Sequence, residues 1–219
     1  MTSPENQTNP RTAPPEVRRK QLIDATITCI AKVGISSTTL TAIAKEAGLS
    51  LGLVNFHFVS KDLLLSETLT YLAGEYREMW MREVRRNDLS VEEKLRSVVT
   101  AQFHRSICSR KKLAVWFAFF GEATHRRTYR AITSQIDMER QEYCAELFAD
   151  IIADGAYSGI DAEETSLTLE SMFDGLWLNM LLYPGKFTRE KAVCQVLDYL
   201  DAIFPGRFQR ARGRQGGTA

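Results

Sequence analysis

From residue 16 to residue 203 the apolar positions return every three or four residues and almost never alternate, so the chain reads as helix nearly throughout. Leu22, Thr26, Ile30 and Val33 share one face of a first helix, which opens after Pro14-Pro15 and stops at Gly34 in a left-handed cap. Thr38 and Thr39 offer N-caps for a short helix through Ala47, closed by Gly48, and Ser50 caps a shorter one. Ser60 caps a fourth, whose pattern continues to about Arg86; it is too long for a small head and reads as the connector to a larger body. S-V-E-E at 90–93 is a capping box and D-A-E-E at 161–164 imitates one with Asp as cap. Each starts a helix of roughly 20 residues, with further helices over about 111–121, 126–154 and 188–203. The expected class is all-α: a polar arm over 1–15, a three-helix head over 16–61, a bundle of about five helices over 62–204, and a basic, disordered tail over 205–219.

The head has the requirements of a helix-turn-helix. Two helices crossing steeply need a tiny inner residue, a turn tolerant of positive φ, and a branched residue facing back; Ala44, Gly48 and Val54 supply them, with Ile43 and Leu49 completing a small core. With Leu53 and Val54 inward, Phe58, four residues past Val54, turns inward too. Leu51, Gly52, Asn55 and Phe56 then lie on the outward arc, with His57 at its edge. Gly52 allows close approach to duplex DNA, Asn55 can read adenine in the major groove, and His57 can donate to a phosphate. Phe56 has two readings, contact with a thymine methyl or packing against the connector helix. Thr39, Ser50 and Lys61 sit at helix N-termini, where free N–H groups favour an anion, and Lys45 flanks the backbone. The run Arg18-Arg19-Lys20 either joins them or is a solvated charge run.

Charge sharpens this division. Residues 1–61 hold seven Lys/Arg against four Asp/Glu, residues 62–204 seventeen against twenty-three, and the stretch after Pro205 adds four arginines, so a basic head sits on an acidic body although the net charge is +1. The opening MTSPENQTNPRTAPP has no apolar stretch and reads as a flexible arm, and LAVWFAFFG at 113–121 is about half a membrane span, which points to a soluble, cytoplasmic protein. Cys29, Cys108, Cys144 and Cys194 are far apart and occupy apolar helix positions, as free thiols do in a reducing compartment. Catalysis has little to stand on. Glu122-Ala-Thr-His125 is one E-x-x-H where a di-iron bundle needs two, and His104 with Cys108 lacks a partner pair. No metal, cofactor or enzymatic activity is expected.

The block 39–61 carries a resemblance. Thr39, Ile43, Ala44, Ala47, Gly48, Ser50, Gly52, Phe58 and Lys61 stand where TetR-family transcriptional repressors show T-x-x-x-I-A-x-x-A-G-x-S-x-G, an aromatic end and a Lys opening the fourth helix. The sequence departs at Asn55, where many members carry Tyr, and at Phe56, where a polar residue is usual. The body, through KKLAVWFAFFGEATHRRTYRAI and FDGLWLNMLLYPGKFTREKA, is similar to the choline-responsive repressors of glycine-betaine synthesis. The resemblance implies a homodimer on a pseudo-palindromic operator, paired through the helices over about 161–182 and 188–203. Leu169, Phe173, Leu176 and Met180 on one, and Val193, Val196, Leu197 and Leu200 on the other, form apolar stripes that suit such an interface. It also implies a small-molecule effector. Trp116, Phe119 and Phe120 on one helix, and Phe173 and Trp177 with Asp174 on another, offer the rings and carboxylate that a quaternary ammonium requires. Ordinary bundle core, or a pocket for a bulky apolar effector of an efflux or catabolic repressor, accounts for the rings; for Asp174 the alternative is a pair with an Arg or the cap of a turn.

Overall fold

The computed structural model describes residues 13–123 and 127–209, so most of the expected arm and tail, and His125, lie outside the described residues. Among the described residues there are nine helices and no strand: α1 (Pro15–Ser37), α2 (Leu40–Ala47), α3 (Leu51–His57), α4 (Lys61–Val84), α5 (Val91–Gln102), α6 (Arg110–Ala123), α7 (Arg127–Gly155), α8 (Ala162–Leu182) and α9 (Arg189–Ile203). The caps fall where the sequence puts them. Thr39, Ser50 and Asp161 each accept from a backbone N–H three residues on, and Ser90 with Glu93 closes the full capping box.

Contacts divide the chain into two compact units. The first takes in the chain up to Tyr71 together with Ala114–Tyr129; the second comprises Leu72–Leu113 and the chain from Arg130. The first unit reaches beyond residue 61 because the N-terminal half of α4 is bound to α1: Arg19 pairs with Glu67, and the Lys20 ammonium sits 4.2 Å from the Tyr71 ring centroid.

Three details of the elements differ from expectation, each for a local reason. Gly34 has φ 77° and ψ 169°, which is a kink and not a left-handed cap; the chain makes one more turn past it, burying Ile35. Val33, expected on the buried face, is 53% exposed, because Leu22, Thr26 and Ile30 already fill the inner side of α1. α5 has 12 residues, not about 20. Its last residue is held by side chains from elsewhere in the second unit: the Gln102 amide oxygen accepts from Tyr76 Oη, and its carbonyl from Trp177 Nε1 at 3.1 Å. Ser109 then starts α6, its carbonyl accepting from Leu113 N at 2.9 Å.

In the first unit α1 is the hub. Gln21 Nε2 donates to the Ala47 carbonyl at 2.7 Å, satisfying the exposed end of α2, and Arg19 donates to the His57 carbonyl at 2.9 Å, doing the same for α3. In the second unit α8 and α9 lie together, with Leu169, Phe173, Val196 and Leu200 fully buried.

Candidate nucleic-acid interface and effector residues

The pair α2–α3 is built as its sequence requires. Gly48 adopts φ 65°, ψ 31°, so its N–H returns to the carbonyls of Ala44 and Lys45 and α2 ends at once. Ile43, Ala44, Val54 and Phe58 are buried and Leu49 is half-buried. With Val54 and Phe58 fixed inward, the opposite arc of α3 is open: Leu51, Gly52 and Asn55 are exposed, and Phe56 is 79% exposed. That exposure settles the two readings of Phe56 against packing on the connector helix. Among the described residues its ring contact is edge-on with its neighbour His57 at 5.2 Å, and His57 is half-buried at the rim of the same arc.

Thr39 and Ser50 accept from Ala42 N and Leu53 N, which leaves each hydroxyl proton available to an outside acceptor, and Lys45 is exposed on the last turn of α2. Lys61 has a different position from the one expected of a phosphate contact. Its ammonium donates to the Ile35 carbonyl at 2.9 Å and the Ser36 carbonyl at 3.4 Å, fastening the start of α4 to the end of α1. The run Arg18-Arg19-Lys20 is likewise engaged within the fold: Arg18 bonds Gln21, Arg19 lies 4.6 Å from the Phe58 centroid, and Lys20 pairs with Asp24.

The aromatic residues named for an effector fall in two places. On α6, in the first unit, Trp116 and Phe119 are buried and Phe120 half-buried; Trp116 lies 5.9 Å from Phe120, and Phe119 meets Tyr129 edge-on at 5.1 Å. On α8, in the second unit, Phe173 and Trp177 are buried one turn apart. Phe173 packs edge-on to Phe103 at 5.8 Å and Trp177 to Tyr76 at 5.9 Å. Asp174 does not follow these rings inward. It is exposed, with no hydrogen bond or ion pair among the described residues. Its pKa is nevertheless raised to about 6, first because neighbouring protein strips hydration from its carboxylate, then because Asp137 and Glu170 are like charges nearby.

A polar network beside those rings was not anticipated from sequence. Arg140 of α7 is 97% buried, since only 3% of it is exposed; it is paired through Nε and Nη2 with Glu170 and through Nη2 with Asp137, and stands 4.9 Å from the Tyr76 centroid. Tyr76, buried and held by Gln102, has its pKa pushed well up by loss of hydration. The signal was present: Arg140 extends the buried stripe of Cys144, Leu147, Phe148 and Ile151 by one turn at helical spacing, and a guanidinium there requires a partner.

With this geometry in place, similarity to known proteins identifies the family. Residues 22–68 match the model for bacterial regulatory proteins of the tetR family, and residues 91–205 match that for the C-terminal domain of BetI-type transcriptional repressors. The chain belongs to the BetI-type branch of the TetR family. The HTH-type transcriptional regulator BetI of Burkholderia thailandensis is 32% identical over 197 residues, covering 88% of this chain and 96% of its own. Among solved structures, a transcriptional regulator from Pseudomonas aeruginosa PAO1 superimposes with a TM-score of 0.78 at 25% identity, covering 90% of this chain and 95% of that one. A regulator from Saccharomonospora viridis, solved in complex with choline, shares the fold with a TM-score of 0.75 at 20% identity, over 85% of this chain and 96% of that one. This BetI-type chain is accordingly a transcriptional repressor with a DNA-binding helix-turn-helix. None of its helices is long and apolar enough to cross a membrane among the described residues.

The apolar stripes of α8 and α9 are largely engaged inside the subunit. Leu169, Leu176, Met180, Val196 and Leu200 are buried within the subunit, and Val193 and Leu197 are half-buried, because α8 and α9 pack on each other and, in the case of α9, on α5. The apolar residues that α8 leaves outside are Leu167, Leu178 and Leu182, with Tyr183 following, each 41–56% exposed.

Proposed function

We propose that this repressor binds a pseudo-palindromic operator as a homodimer, with residues 16–61 as the DNA-binding head and 62–204 as the effector-binding and pairing body, and that choline or a related quaternary ammonium compound controls it. The observation that carries the DNA reading is the open arc of α3, on which Gly52, Asn55 and the largely exposed Phe56 stand opposite the buried Val54 and Phe58. A bare phenylalanine beside an amide on a rigid seven-residue helix suits a major groove, where thymine offers a methyl and adenine a donor–acceptor pair. Thr39, Ser50, Lys45 and His57 ring this arc as phosphate contacts. Lys61 acts one step removed, by fixing the end of α1 against α4.

For the effector, the choline bound to the Saccharomonospora viridis protein and the BetI relatives support a cationic ligand, and so does the chemistry of α8. Phe173 and Trp177 supply ring faces, and Asp174 supplies a carboxylate that has no hydrogen bond or ion pair among the described residues. The rings are closed against Phe103 and Tyr76, so a cation reaching them has to part those pairs. Tyr76 lies on α4, so a ligand that parts its ring from Trp177 can favour one arrangement of α4 over another, the thermodynamic condition for control of DNA binding.

The test is a footprint of the purified protein on the DNA upstream of its own gene, with choline, betaine aldehyde or glycine betaine added in turn. Two protected half-sites about one helical turn apart are expected, with protection altered by at least one of the three. A protein that protects no symmetric site, or whose footprint is indifferent to all three compounds, contradicts the operator and effector parts of the proposal respectively.

A further inference from the structure

A cleft of about 360 Å³ lies within the second unit, lined by Met79 and Arg82 of α4, Arg96, Ser97, Thr100 and Ala101 of α5, and His104 just past its end. It is separate from the rings and carboxylate of α8, and its lining contains no acidic residue. Its volume is at the lower end of the roughly 300–1,000 Å³ typical of small-molecule sites.

The two arginines that face this cleft lack a carboxylate partner among the described residues, whereas several other cations of their unit have one. Arg77 is paired with Glu139, Arg86 with Asp88, Lys112 with Glu75, Arg140 with Glu170 and Arg207 with Glu92. Arg82 and Arg96 have no carboxylate partner among the described residues. Arg96 is nonetheless held in place: one Nη donates to the Gln209 carbonyl at 2.9 Å, and the guanidinium stands 5.5 Å from the Phe208 centroid. His104 is oriented by its Nδ1, 2.7 Å from Ser106 Oγ, and the hydroxyl of Thr100 is on the same rim. Two guanidiniums, an imidazole and two hydroxyls, that of Thr100 donating to the Arg96 carbonyl at 2.8 Å, thus line one cleft together with the apolar Met79 and Ala101. A concave surface lined with one sign of charge concentrates field lines and draws an ion of the opposite sign, and a planar guanidinium fork matches an oxyanion in particular.

We propose that this cleft binds a small oxyanion, a phosphate or carboxylate group carried by a metabolite, and that this ligand bridges α4 and α5. The apolar Met79 and Ala101 take the carbon part of such a ligand, while Arg82 and Arg96 clasp the anion from the two helices. Because α4 also carries the link to the head, the anion supplies a second input to the repressor, on residues independent of the proposed choline site.

The experiment uses the full chain in thermal melts and calorimetry, with sodium phosphate or sodium acetate replacing sodium chloride at matched ionic strength. A saturable rise in Tm with at least one of these probes is expected; phosphate alone identifies a phosphate site, and acetate alone a carboxylate site. Arg82→Gln, at an exposed position, should fold normally by circular dichroism and lose affinity by about tenfold or more, with Arg82→Lys recovering part of it. Arg130→Gln, an exposed arginine outside the cleft, should bind as the parent does. Absence of a saturable response to both probes overturns the proposal, as does an equal response in Arg82→Gln and Arg130→Gln.

Discussion

Gly48 and Gly52 stand four residues apart and answer to different demands. A Cβ at Gly48 would meet nothing within 4 Å, yet φ is 65°, so the glycine is there for the backbone turn alone. Gly52 has no such φ, and a Cβ on it would touch only Ser50 Oγ at 3.9 Å, so nothing inside the subunit calls for glycine in the middle of α3. Gly52→Ala should therefore raise stability by up to about 1 kcal/mol through helix propensity while weakening operator binding, because the added methyl stands on the arc of α3 proposed to meet DNA. Urea melts and DNA titrations on the same preparation separate the two effects; operator affinity equal to the parent's would remove the close approach from the argument. Arg140 is the opposite case, a residue held inside the subunit by Glu170, Asp137 and the Tyr76 ring. Arg140→Ala leaves Glu170 without its cation and should cost about 3–5 kcal/mol in urea unfolding. The double change Arg140→Met with Glu170→Leu should recover most of that, since it removes the need for the pair along with the pair.

At the scale of the elements, what could be read from the chain is what local chemistry decides. Thr39, Ser50, Ser90 and Asp161 are recognisable caps because a short oxygen-bearing side chain and an N–H three residues away are all the motif contains. The inward Val54 and Phe58 and the outward Asn55 and Phe56 follow equally from helical period. Where α5 ends was not legible, because the decision is taken by Tyr76 and Trp177, 26 and 75 residues away, which claim the side chain and carbonyl of Gln102. Part of the surroundings of Asp174 was hidden for the same reason: Glu170 lies one turn before it on α8, but Asp137 of α7 comes near only through packing. Their effect has a definite sign. The folded pKa of about 6 lies above the ordinary carboxylate value, so the ionised group opposes folding above pH 6, and that penalty fades as pH falls towards 4. Asp174→Asn should raise Tm at pH 8, by less than about 1 kcal/mol equivalent because the open side of the carboxylate is screened by water, and leave Tm unchanged at pH 4. If Asp174 is the partner of a quaternary ammonium, choline binding should release a proton near pH 6 and weaken below it. Calorimetry in buffers of different ionisation enthalpy reads that proton directly; proton-neutral binding at pH 6 would take Asp174 out of the site.

For the whole molecule, the question is what covers α8. Its inner face is fully occupied by Leu169, Phe173, Leu176, Trp177 and Met180, yet Leu167, Leu178 and Leu182 repeat on the other side at intervals of eleven and four residues, which a helix returns to one line. A helix apolar on both sides is stable in water only when both sides are covered. A two-fold partner presenting the same stripe is the economical cover, and it is the pairing that the proposed binding to a pseudo-palindromic operator requires. Leu178→Glu tests this without disturbing the core, because the side chain is 41% exposed in the isolated subunit. The variant should keep the parent's circular dichroism but sediment as a monomer. Its operator affinity should fall by about 10²–10⁴, the factor lost when two linked contacts become one, while its affinity for a single half-site stays that of the parent's head. Leu176→Ala, one turn position away but facing inward, should do the reverse: a loss of about 2–5 kcal/mol in stability with the subunit association retained under native conditions. Should Leu178→Glu remain dimeric and bind its operator undiminished, the outer stripe of α8 is not where the subunits meet, and the pairing surface has to be sought on another face of the body.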